Sequence, residues 1–215
     1  MKKELEKRAY TFDVSAEENE SKPGIRTIKG RPIVYNSRTN IGLFDEIIEP
    51  GALDGTDLTD VRFLVNHDVS KIPLARSRRN NANSTLRLST TTEGMNMETD
   101  LDVENNATAR ELVSAIGRGD LSGMSFMFSV DEDRWEDLES DHPTRHIQKI
   151  GSIVEVSAVT FPAYTDTTIE IDARSKAALD NARSALENAR KQNAPEVDTS
   201  ELLLLKEKTK ILGGI

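Results

Sequence analysis

Cysteine is absent from the 215 residues, which removes disulfides, thiolate metal sites and a cysteine nucleophile together. Histidine is scarce: His67, His142 and His146 are the whole supply, so no metal centre is expected and few bases remain for chemistry near neutral pH. Aromatic residues make up 5% and hydrophobic residues 36%, too little for one tightly packed globule of this length. Part of the chain is therefore expected to lie outside the core. Long apolar runs are missing too. The longest is LLLL at 202–205, far short of a membrane span, and the leading MKKELEKRAYTF lacks the apolar stretch of a signal peptide. A cytoplasmic protein with no membrane partner is expected. Positive charge is in deficit, 28 Lys and Arg against 37 Asp and Glu for a net −9, which argues against a general nucleic-acid footprint. Arg76, Arg78 and Arg79 cluster in a polar loop, where solvation is the ordinary reading.

What is present is mostly β pattern. Residues 1–8 read as a charged, helix-compatible lead. From Ala9, the residues Tyr10, Phe12 and Val14 alternate with polar neighbours. Ile25–Tyr35 reads as β structure with a bulge near Gly30. Leu43–Ile48, Val61–Val65, Ser84–Leu88 and Gly94–Val103 follow as strands. One helix interrupts them at 106–116: Ala109, Leu112, Val113 and Ile116 share a face, and Gly117 and Gly119 end it. Leu121–Phe128 is an apolar strand, and 131–141 (DEDRWEDLESD) an acidic loop. Arg145–Ile150 and Ile153–Val159 read as two further strands. After Ile171 the character changes. Residues 172–192 are strongly helical, with Leu179, Ala182, Leu186 and Ala189 three and four apart. The expected organisation is a lead at 1–8, a β-rich α+β body at 9–171, and a helical tail at 172–215.

Without cysteine, covalent chemistry falls to a hydroxyl or an amine, with histidine the commonest activator. His142, beside Pro143 at the edge of the acidic loop, reads as solvated, and His146 as exposed on a polar strand. His67 differs, because it ends the apolar run VRFLVN between Asn66 and Asp68. That suits either a side chain anchored at a cleft or a strand-end histidine bonded to a carbonyl. Ser125 sits in an apolar strand two residues after Gly123, where a hydroxyl needs a partner. Glu155 is a carboxylate inside the apolar IVEVSAV, and a buried carboxylate needs a cation or donor. The three make a candidate base, nucleophile and orienting group. No G-x-S-x-G elbow is present, which disfavours a small-molecule esterase.

The segments GRPIVYNS, FDEIIEPGAL, FLVNHD, LRLSTTTEGMNMETDL, IGRGDLSGMSFMF and IVEVSAVTFPAYTDT occur in that order over roughly 28–168. In residues and spacing they resemble the prohead serine proteases of tailed bacteriophages, a family related in fold to the herpesvirus assemblins. The resemblance implies a small closed or partly closed antiparallel β-barrel with one central helix. It places the nucleophile on Ser125 and the general base on His67. The herpesvirus relatives carry a second histidine at the position of Glu155, so the third member here is Glu155, with His146 its competitor. An arginine pair of those relatives is replaced by Phe161-Pro162-Ala163, and no oxyanion residue is assigned. No cofactor is implied. The implied activity is serine endopeptidase cleavage of a scaffold protein, or of the scaffold-like segment of the major capsid protein, inside the prohead in the host cytoplasm. Cleavage of the chain itself is implied too, with the tail as a scaffold-binding or removable segment and self-association left open. The alternative is a non-catalytic assembly or scaffold protein that keeps the protease fold.

Overall fold

Alternating small or polar and bulky apolar residues build the two longest strands of the molecule. In GMSFMF, Met124, Phe126 and Phe128 point into the core, while Ser125 lies on the opposite face. The computed structural model describes residues 5–11, 15–19, 22–160 and 173–193. In chain order these form β1 (Glu6–Thr11), β2 (Ser15–Glu18), β3 (Ile25–Val34), β4 (Thr39–Asn40), β5 (Asp45–Ile48), β6 (Arg62–Val65) and β7 (Ala75–Arg76). Then follow β8 (Leu86–Thr91), β9 (Gly94–Asp102), α1 (Ala107–Gly117), β10 (Gly123–Glu136), β11 (Thr144–Val159) and α2 (Ala173–Asn193).

Among the described residues the strands make two open sheets, and no barrel closes. One sheet runs β1-β10-β11-β5-β4, with β6 also on β11 and β7 on β6. The other runs β2-β3-β9-β8. The first is mixed rather than antiparallel, because β11 pairs in parallel with β5 along its first half and with β6 along its second. Both sheets and α1 meet in one core: Ile28, Leu86 and Met95 from the smaller sheet, Phe63, Phe126 and Val156 from the larger, Leu112 and Ile116 from the helix. The joint between the sheets is therefore side-chain packing, without strand pairing across it.

Local chemistry explains the individual elements. Asn106 caps α1 by accepting a hydrogen bond from the Ala109 amide at 3.2 Å, and Ala109, Leu112 and Ile116 face inward as their spacing predicts. The β3 register shifts between Gly30 and Ile33, where the bulge is expected. Other expectations are corrected. The two strands read at 145–150 and 153–159 are one, running through Gly151, where a side-chain Cβ would lie 2.0 Å from Asp131 Oδ1. The glycine admits close approach of β10 there and does not break the strand. The acidic loop begins as strand: β10 continues to Glu136, its charges at 131–134 exposed to solvent. At the amino end, the β pattern expected from Ala9 begins earlier: β1 runs Glu6–Thr11, so Glu6–Arg8 are strand where a helix-compatible lead was expected.

A second, smaller apolar cluster joins Ile41, Phe44 and Leu186 of α2, with Trp135 packed edge-on to Phe44 at 4.9 Å. Arg190 donates to the carbonyls of Leu138 and Ser140, so the carboxyl-terminal half of α2 lies on the body. No helix among the described residues is long and apolar enough to cross a membrane.

Candidate active site

The site is built where β6 ends against β11. Parallel pairing sets Leu64 beside Ser157 and Val65 beside Ala158, and the chain then turns sharply. Asn66 and His67 both take left-handed backbone angles, φ 52° and 56°, which cost energy for residues other than glycine and persist only where surrounding contacts hold them. Those contacts are visible. The Asn66 amide donates to the Ala158 carbonyl at 2.9 Å, its side chain exchanges hydrogen bonds with Thr160, and the His67 amide donates to Ser157 Oγ at 3.2 Å. The turn is stapled to the end of β11.

That turn brings the His67 ring over β11, where Nδ1 makes a short hydrogen bond to Glu155 Oε1. The Glu155 side chain is 3% exposed, and its other oxygen accepts from Ser157 Oγ at 2.6 Å. Both carboxylate oxygens are thus satisfied, which answers the need that a glutamate inside an apolar strand creates. An ionised carboxylate can only accept, so Nδ1 carries the proton and Nε2 offers the lone pair.

Ser125 is the cross-strand partner of Ser157, and Met127 that of Glu155. Directly opposed residues bring their Cβ atoms to roughly 4.5–5.5 Å. Ser125, Ser157 and Glu155 therefore share one face of the sheet, side by side. Ser125 is 1% exposed, and its hydroxyl donates to the Arg8 carbonyl of β1 at 2.7 Å. Among the described residues no hydrogen bond joins Ser125 to His67.

The remaining histidines lie elsewhere. His146 is buried, where an exposed strand position was expected, and bonds to Glu136 at 3.0 Å and to Arg134 at 3.0 Å. It precedes Glu155 by nine residues on β11, on the order of 30 Å at the usual strand rise. His142 is exposed and bonds to Asp45 at 2.9 Å. Arg76 is paired twice with Asp60, at 2.6 and 2.9 Å, beside a backbone that is left-handed at Arg78 and Arg79. Phe161-Pro162-Ala163 lies outside the described residues. No three His, Asp or Glu side chains among the described residues are grouped to hold a metal ion.

Two features escaped the sequence reading. Ser157 is the hub that ties the His67 backbone to the Glu155 carboxylate; its position two residues after Glu155 in EVSAV, on the same strand face, is the signal that could have found it. The other is a buried ion network behind Ser125. Arg8 pairs with Glu46 at 2.5 and 2.6 Å and with Glu6 at 2.7 Å. Arg145 pairs with Glu6 at 2.7 and 3.0 Å, with Asp133 at 2.6 Å and with Glu46 at 3.4 Å. Burial works to raise the Glu6 carboxyl, but Arg8 and Arg145 outweigh it and hold the group at about 2. For Arg145 burial works to lower the guanidinium, and Glu6 and Glu46 outweigh that in turn, raising it.

Comparison with protein families matches residues 11–182 to the caudovirus prohead serine proteases. The chain belongs to this family. The match spans β2 to the first half of α2 and includes His67, Ser125 and Glu155. Among solved structures, the bacteriophage T4 capsid assembly protease, gp21, is similar at 12% identity, covering 75% of this chain and 100% of that one, with a TM-score of 0.43. No curated protein matches. Membership of the prohead protease family makes this a capsid maturation protease by descent.

Proposed function

We propose that the chain is a serine endopeptidase in which Ser125 is the nucleophile, His67 the general base and Glu155 the orienting carboxylate. The observation that carries this reading is the His67–Glu155 pair, held by a strained and stapled turn beside the strand register of Ser125. With Nδ1 bonded to Glu155, Nε2 can take the Ser125 proton as Oγ bonds to a peptide carbonyl carbon. The carbon–nitrogen bond then breaks, and the imidazolium returns that proton to the leaving amine. Water, activated by the same nitrogen, releases the acyl group. Glu155 stabilises the imidazolium and stays ionised. Family membership supports prohead proteins as substrates: a scaffold protein or the scaffold-like segment of the major capsid protein, cut inside the assembling shell. Self-cleavage that frees the segment from 172 onward belongs to the same reading.

The test is co-expression with the capsid protein, wild type against variants, with terminal sequencing of the products. Ser125→Ala and His67→Ala should each lower kcat by about 10⁶-fold, and Glu155→Ala by less. Wild-type cleavage by Ser125→Ala would refute the assignment. Loss of activity in His146→Ala with retention in Glu155→Ala would move the third role to His146. One observation favours the second reading, a non-catalytic assembly protein: the Ser125 hydroxyl donates to Arg8 and not to His67.

A further inference from the structure

The strand β1 lies along β10 with Ala9 opposite Ser125, so the peptide between Arg8 and Ala9 is the one set against the serine. Ser125 Oγ donates a hydrogen bond to that peptide's carbonyl oxygen at 2.7 Å, the reverse of what attack requires. For attack the proton must go toward a base and the carbonyl oxygen toward separate donors. A strand so placed blocks the serine.

The body grips this strand by charge. Glu46 of β5 and Arg145 of β11 stand side by side behind β10, 3.4 Å apart. Arg8 forks onto both oxygens of Glu46, and Arg145 forks onto both oxygens of Glu6. Arg145 also holds Asp133, and the Arg8 guanidinium lies 5.6 Å from the Phe128 ring centroid. Each bidentate pair is directional, so the body recognises an acid and a base two residues apart in one order only. The strand itself is an edge of six residues whose backbone, among the described residues, pairs with β10 alone. Edge positions are where an extended segment from another chain adds by backbone pairing.

We propose that β1 occupies the seat of the substrate strand as an internal pseudosubstrate, and that Glu46 and Arg145 select segments of the pattern acid-x-Arg, the arginine supplying the carbonyl that meets Ser125. This rests on the assignment of Ser125 as nucleophile. It accounts for the bond between Ser125 and Arg8 without giving up catalysis: the serine is masked until β1 leaves or a substrate strand replaces it. Glu46 and Arg145 are then specificity-determining, and β1 sets how much of the enzyme is open.

The test uses the full-length chain, wild type and Arg8→Glu, which sets two carboxylates against each other at Glu46. Labelling of Ser125 by a fluorophosphonate should rise at least about tenfold in the variant, since a masked fraction taxes every ligand of the open form. The double variant Arg8→Glu with Glu46→Arg should return labelling toward the wild-type rate. In Arg8→Glu, the peptide LEKRAYT should be cut after its arginine at least about tenfold faster than the charge-swapped LRKEAYT, and should compete with labelling. Equal labelling of wild type and variant, or equal cutting of the two peptides, overturns the proposal while leaving Ser125 as nucleophile. Absence of labelling in every variant overturns that assignment and the proposal with it. If Arg8→Glu fails to fold, competition between LEKRAYT and wild-type labelling decides, because the swapped peptide should not compete.

Discussion

His67 and Ser157 show how single residues make this site. A left-handed histidine is uncommon, and here two consecutive left-handed residues swing the ring back over β11. Ser157 Oγ accepts from the His67 amide and donates to Glu155, so one hydroxyl fixes both the His67 backbone and the carboxylate that its ring bonds to. Ser157→Ala should leave the fold intact and lower kcat by about 10²-fold with little change in KM, as misplacement of a catalytic group by a fraction of its contact distance does. Steady-state kinetics on one peptide substrate checks this. An unchanged kcat would show that Glu155 orients the ring without help. Glu155 was recognisable as anomalous from its apolar neighbours alone. Ser157 was far less so, because its one mark along the chain is a place two residues after Glu155 on the same strand face, and its partners are set by the fold.

Among the elements, β11 matters most. It pairs with β10 along its length, carries β5 on one half and β6 on the other, and so brings Glu46 and His67 to the same strand. The second sheet depends on a tighter approach. Gly94 takes φ 143°, and a Cβ there would lie 2.0 Å from the Ile33 carbonyl oxygen. Gly94→Ala should destabilise by on the order of 1–3 kcal/mol, read as a lower thermal midpoint, because backbone on both sides must move. The β1 edge carries a pH dependence. Glu6 titrates at about 2 in the folded chain against an ordinary 4.5, so its contribution is full above pH 4.5 and is lost as pH falls toward 2. Arg8 and Arg145 bond to it directly, and Glu46 and Asp133 compete for the same two guanidinium groups. In urea melts the stability lead of wild type over Glu6→Gln should be constant from pH 7 to 5 and shrink between pH 4.5 and 2.5. A lead that does not shrink would mean Glu6 acts through shape alone.

At the scale of the whole molecule, the two sheets and α1 share a core while α2 rests on a separate patch made by Ile41, Phe44 and Trp135. The patch is small, and Leu186 is the buried side chain that α2 gives it. Leu186→Ala should cost about 2–5 kcal/mol locally. Limited proteolysis should then cut within 173–193 well before the β body. Simultaneous cutting of both would show that α2 unfolds only with the body. The −9 charge fits this arrangement, since the acids on the outer stretch of β10 lie in solvent and the buried ones are paired.

By itself the sequence determined the β-rich class, α1 with its inward apolar face and glycine end, the bulge near Gly30, the helix beginning near 172, and the shortlist of His67, Ser125 and Glu155. Each follows from local periodicity, capping chemistry or a polar group stranded among apolar ones, all of which are written along the chain. Tertiary structure alone decided the rest. Whether strands close into a barrel depends on which edges meet, and here the sheets join by side chains. Whether Gly151 breaks a strand depends on Asp131 across the gap. That Glu155 meets His67 while His146 does not depends on the parallel pairing of β6 with β11. The grip of Glu46 and Arg145 on β1 joins residues about 40 and 140 positions apart, and no periodicity reports an ion pair between segments that only the sheet brings together.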